Sequence, residues 1–138
     1  GEEIGWRGVL QPELERRWGA LGGSLATGAI WASWHLPVNL AGYNDAAHPT
    51  LSTFVIFPIV VTSMALVYGW MVRRARSVWP AALAHGAYNC IVAGFVIKPR
   101  SWSSDTATAL GAALLLAIAI CLLDRRALLG SRTADQRM

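Results

Sequence analysis

The chain has 138 residues, of which 54% are hydrophobic and 14% charged, with seven Trp and a mean hydropathy of +0.40. That balance is too apolar for an ordinary soluble domain and places the chain among membrane proteins. The net charge of +4 excludes a nucleic-acid surface, because the basic residues fall between apolar segments and form no continuous stripe.

In chain order, the first element is the charged opening stretch GEEIGWRGVLQPEL. Glu3 and Arg7 stand four residues apart with the acid first, the favourable order for a helical ion pair, so Arg7 is expected to neutralise Glu3 and leave Glu2 free. Adjacent helical residues point about 100° apart, so Glu2 and Glu3 have separate jobs. Taken alone, the stretch also reads as an interfacial charged turn, with Gly1, Gly5 and Gly8 weakening its helix.

Four uncharged segments follow. The first runs from about Gly22 to Tyr43, with Pro37 expected to kink or end its helix. The second (51 to 72) and third (78 to 97) each reach the roughly 20 residues that cross a bilayer, and the fourth (107 to 123) is slightly short. A soluble bundle is disfavoured because such segments leave no polar face for solvent. The expected fold is therefore all-α: a multi-spanning transmembrane helical bundle of about four spans plus an N-terminal motif-bearing helix. The whole chain, 1–138, reads as one membrane-embedded domain ending in a polar basic tail, 124–138.

Arg16 and Arg17 precede the first span, Arg73, Arg74 and Arg76 follow the second, and Arg125 and Arg126 follow the fourth. Alternate connections are thus basic, which assigns them to the cytoplasmic side. Cys90 and Cys121 lie within spans, and neither a disulfide nor a Cys-x-x-Cys metal motif is expected. With no initiator Met and no signal peptide, the chain reads as the C-terminal part of a longer protein whose further helices lie upstream.

Ionisable groups at bilayer depth are costly and point to function. Besides the opening stretch they are few: His35, with Asn39 one turn on, and His85, with Asn89 on the same helical face. Pro37 frees the Ser33 carbonyl near His35. Trp31 and Trp34 read as members of an interfacial aromatic belt. Ala82, Gly86 and Ala93 form a small-residue stripe suited to close helix packing. Carboxylates, two imidazoles and a carboxamide on separate apolar segments suit hydrolysis: a carboxylate activates water and imidazole or amide groups stabilise an oxyanion. The chain has neither a Gly-x-Ser-x-Gly elbow nor His-Glu-x-x-His.

In order and spacing, EEIGWRG, WASWH and HGAYN resemble the three motifs of the CPBP intramembrane proteases, the family of the CAAX prenyl endopeptidases. The resemblance implies an intramembrane endopeptidase in which Glu2 activates water, His35 holds it, and His85 and Asn89 form the oxyanion site, with Glu3 and Arg7 in support. Trp31 stands where the family usually has Phe. No cofactor is expected, with zinc on one Glu and two His as the alternative. The bilayer and a protein or peptide substrate are the expected partners. High Ala, Gly, Trp and Arg with a single Lys suggests a bacterial plasma membrane. The competing reading is a non-catalytic scaffold or bacteriocin-immunity-type protein that uses the same polar cluster to pack helices or bind a partner. A proton-carrying transporter is less favoured, because no pair of broken helices in repeated halves is present.

Overall fold

The computed structural model describes residues 1–41 and 52–90, together with 116, 117, 119, 120, 123 and 124. The described residues are helical apart from short turns, with no strand among them. Helix α1 (Glu2–Gly5) passes through a π-helical turn (Trp6–Leu10) into α2 (Gln11–Leu40). A second π-helical turn (Ser52–Ile56) leads into α3 (Phe57–Ala75), and α4 (Trp79–Cys90) follows.

The main break in the first half is at Gly19, not Pro37. Gly19 has φ 74° and ψ 171°, a conformation open essentially to glycine alone, and it divides α2 into two arms. These arms fold back on each other as a hairpin. Where Gly23 lacks a side chain, a Cβ would lie 2.6 Å from Glu15 Cα, so the arms are nearly in backbone contact. Gln11 Nε2 donates to Ser24 Oγ across the hairpin at 2.9 Å. Helix α2 instead runs past Pro37 to Leu40, and the Ala41 N–H still closes on the Pro37 carbonyl at 3.1 Å. The missing proline N–H removes only one intrahelical bond, and less than a turn remains to be distorted.

Helix α3 packs against the second arm of α2. Gly28 permits this: a Cβ there would lie 2.6 Å from Thr62 Cα. His35 meets Phe57 while Gly28, further back on the arm, meets Thr62, so this arm and α3 run antiparallel. A left-handed Arg76 (φ 52°) then turns the chain into α4. The core gathers Ala20, Trp31, Val60, Val61, Met64, Val67 and Tyr68 with Ala81, Ala117 and Ile120. At the Arg73 end, Arg74 and Trp70 donate to Asp124, the Trp70 bond being 2.9 Å long.

Within the described residues one helical stretch, Phe54–Ala75, is long and apolar enough to cross a membrane; its 22 residues match the expected second span. The third expected span is described only as far as Cys90, and of the fourth only Leu116, Ala117, Ala119, Ile120 and Leu123 are described, all helical. Cys121, Ala93, and the tail beyond Asp124 with Arg125 and Arg126 lie outside the described residues. Nothing described approaches within 4 Å of a Cβ built on Gly86, so at that position of the small-residue stripe no helix among these residues packs closely.

Candidate active site

The hairpin at Gly19 determines what the site contains. Folding the first arm onto the second carries Glu2 to Trp31, 29 positions away, where the indole Nε1 donates to Glu2 Oε2 at 3.0 Å. Trp6, one turn beyond Glu2, donates to the same oxygen at 3.2 Å. Among the described residues Glu2 therefore has two N–H donors and no cationic partner in contact, and it is only partly buried.

Glu3 is placed differently. It is 3% exposed and accepts from Arg7 Nη1 at 3.1 Å and from His85 Nδ1 at 2.8 Å, both on Oε1. Arg7 is 1% exposed, and its guanidinium carbon lies 4.5 Å from the Trp31 ring centre and 5.2 Å from that of Tyr68. A buried ion pair alone is poorly compensated for its lost hydration, and the two aromatic faces supply further cation–π attraction. Glu3 Oε2 and Arg7 Nε and Nη2 are buried without hydrogen-bond partners among the described residues.

Both imidazoles lie against Trp31. The His85 ring packs edge-on at 5.1 Å between centroids, and the His35 ring lies at 6.1 Å. His35 Nδ1 bonds the Trp31 carbonyl at 3.1 Å. A carbonyl and a carboxylate only accept, so in both histidines Nδ1 carries the proton and Nε2 is left for other chemistry. Helix α3 closes the site, with Phe57 against His35 (5.3 Å) and Tyr68 near His85 (5.9 Å).

Glu2, Arg7, His35 and His85 thus gather at one indole, and Glu3 joins them through Arg7 and His85. Asn89 lies one turn beyond His85 on the same face of α4, is exposed, and makes no hydrogen bond among the described residues. Glu2 and His35 form no direct bond there; Trp31 joins them, through its indole to one and its carbonyl to the other. Among the described residues, no three His, Cys, Asp or Glu side chains converge as a metal donor set.

Trp31 corrects the sequence expectation. It is 2% exposed and central to the site, not part of an interfacial belt, whereas Trp34 is 55% exposed. Trp6 and Tyr68 are site residues that sequence reasoning missed, and Trp31 entered it only as the aromatic position of the second motif. For Trp6 the available signal was its spacing of four from Glu2.

A second buried polar group continues the same helical stripe. Gln11, one turn beyond Arg7, donates to Glu15 Oε1 at 2.7 Å, and Ser24 and Arg73 also donate to that oxygen. Gly69 makes room for it, since a Cβ there would overlap the Gln11 side chain.

Residues 1–91 match the model of a family described as Type II CAAX prenyl endopeptidase Rce1-like. Over 129 residues the chain is 26% identical to a CAAX prenyl protease 2 from Methanococcus maripaludis, an alignment covering 91% of this chain and 46% of that protein. The chain thus spans about half the length of the curated relative it matches. No solved structure matches it.

Proposed function

The chain belongs to the Type II CAAX prenyl endopeptidase Rce1-like family, a family of membrane-embedded proteases, and on that premise we propose that it forms the catalytic part of an intramembrane endopeptidase. The observation that carries this reading is the gathering of Glu2, His35 and His85 around the buried Trp31. We read the surrounding fold as four spans in a bacterial plasma membrane. The meeting of Glu15, Arg73, Arg74 and Asp124 at one end supports a common cytoplasmic side for the basic segments.

Of the two glutamates, Glu2 is the proposed base. Glu3 is buried and committed to Arg7 and His85, whereas Glu2 is partly accessible and touches no cation among the described residues. Glu2 takes a proton from water as the water oxygen bonds the scissile carbonyl carbon and the carbonyl π pair moves onto its oxygen. His35 orients the water through Nε2. His85 and Asn89 face the oxyanion; His85 donates from Nε2 when its ring is doubly protonated, since Nδ1 already serves Glu3. Collapse breaks the C–N bond, and the proton held by Glu2 passes to the departing amine. The products are a carboxyl terminus and a free amine, with Glu2 regenerated.

We favour metal-free chemistry, because the carboxamide of Asn89 on the same face as His85 suits hydrogen bonding better than metal ligation. Activity lost on exhaustive chelation and restored by zinc would overturn that preference. The relative's name suggests a probe: a quenched fluorogenic peptide ending in a prenylated Cys-a-a-X sequence, compared with its unprenylated form. Glu2→Gln should abolish turnover and leave the thermal midpoint in detergent nearly unchanged, and undiminished turnover in this variant would refute the assignment.

The non-catalytic reading has one observation in its favour, the Glu3–His85 bond that ties α1 to α4. It requires alanine at His35 or Asn89 to lower expression and thermal stability together with function. The catalytic reading requires Asn89→Ala to lose turnover while remaining folded.

A further inference from the structure

Both hydrogen bonds to Glu2 from the described residues fall on Oε2, and none falls on Oε1. The donors come from the two arms of the hairpin, Trp6 from the first and Trp31 from the second. An indole N–H donates and has no lone pair to accept with, so neither residue can take a proton from water in place of the carboxylate. Trp31 is 2% exposed, and its ring is fixed by Trp6 at 6.3 Å, Tyr68 at 6.4 Å and His85 at 5.1 Å. Trp6 is in turn held edge-on by Trp34 at 5.9 Å. The donors are therefore rigid, and hydrogen bonds to an ionised acceptor are stronger and more directional than neutral ones.

We propose that Trp6 and Trp31 are positioning residues that clamp Glu2 through Oε2, so that Oε1 is the oxygen that takes the proton from water. The proposal rests on the reading of Glu2 as the base. Its content is an asymmetry: one carboxylate oxygen is structural, the other reactive. Because the donors sit on opposite arms, the clamp also makes the base depend on closure of the hairpin. A carboxylate free to rotate would present either oxygen and spend part of its time away from the water.

The test uses the purified protein in detergent with the prenylated fluorogenic peptide, and 15N-labelled indoles observed by NMR. Trp31→Phe keeps the ring and deletes the N–H. It should lower kcat about tenfold or more, the scale of one bond to a charged acceptor, with KM unchanged. Trp6→Phe should act in the same direction and supplies the kinetic measurement should Trp31→Phe fold poorly. In Glu2→Gln the Trp6 and Trp31 indole N–H resonances should both move to higher field as their acceptor becomes neutral, while the Trp79 resonance stays in place; a purely packing role for the indoles would leave all three unmoved. Wild-type kcat in both Phe variants, or unmoved Trp6 and Trp31 resonances, overturns the clamp. Turnover that survives Glu2→Gln overturns the base assignment itself. That result is distinct from failure of the clamp alone, in which Glu2→Gln is inactive while both Phe variants turn over normally.

Discussion

Glu3 and His85, 82 positions apart, share a hydrogen bond of 2.8 Å between Oε1 and Nδ1. The same oxygen receives Arg7, so one buried atom joins α1, the π-helical turn and α4. The neighbouring Glu2 has neither partner. Two adjacent residues of the same type therefore have opposite environments, and substitution should separate them.

Glu3→Gln keeps the shape but removes the charge, leaving Arg7 buried without its counter-ion. Breaking a buried pair in this way costs about 3–5 kcal/mol. The variant should show a markedly lower thermal midpoint in detergent, in contrast to Glu2→Gln. Equal midpoints for the two variants would contradict the assignment of roles.

Arg7→Lys retains the charge and can still reach Glu3, but an ammonium lacks the planar face that lies over Trp31 and Tyr68. The expected loss is about 1–2 kcal/mol, the scale of a desolvated cation–π contact. Adding Tyr68→Leu to Arg7→Lys should then cost less than it does in the wild type. Full additivity in that double-mutant cycle would mean that the stacking contributes nothing.

Gly19→Ala places a side chain on a conformation that essentially only glycine adopts, at a cost of about 1–3 kcal/mol. Any relaxation opens the hairpin and draws Glu2 away from Trp31. Turnover should fall along with stability, although Gly19 lies at the turn of the hairpin and the Glu2–Trp31 bond near its open end. A stable variant with full activity would show that the hairpin angle does not set the site.

Gly28→Val would push directly into Thr62 and force α2 and α3 apart. Overpacking of this kind costs about 1–3 kcal/mol, occasionally more. Gly86→Val serves as the control, because nothing described lies within 4 Å of the added Cβ. Thermal midpoints of the two variants should differ in that order.

The local part of this arrangement was legible in the sequence. Helical periodicity alone puts Glu3 beside Arg7 and His85 on one face with Asn89, because such pairs need only one turn of geometry. The apolar run around Phe54–Ala75 was equally plain. Trp31 was not, because an indole beside another Trp near a presumed membrane boundary looks interfacial until the chain folds Glu2 back onto it. The hairpin explains the other gap. A proline is the more conspicuous helix breaker, but Pro37 sits where only a short stretch of helix remains, while Gly19 carries the positive φ that reverses the chain. Gln11, Glu15 and Ser24 read as ordinary polar residues, and only the Gly69 and Arg73 positions on α3 show them to be enclosed.

The stripe Glu3, Arg7, Gln11 and Glu15 bears on how the molecule is made. Each residue is covered in the finished fold by a group from elsewhere: His85, Trp31 and Tyr68, Ser24, and Arg73. At the moment of synthesis none of the C-terminal partners exists, and lipid would reject so polar a helix face at several kcal/mol per charge. Glu3, Arg7 and Glu15 therefore complete their pairing only once α3 and α4 have been made. Glu3 precedes its partner His85 by 82 positions, and nascent chains released before His85 would carry Glu3 and Arg7 without the imidazole that ties them to α4.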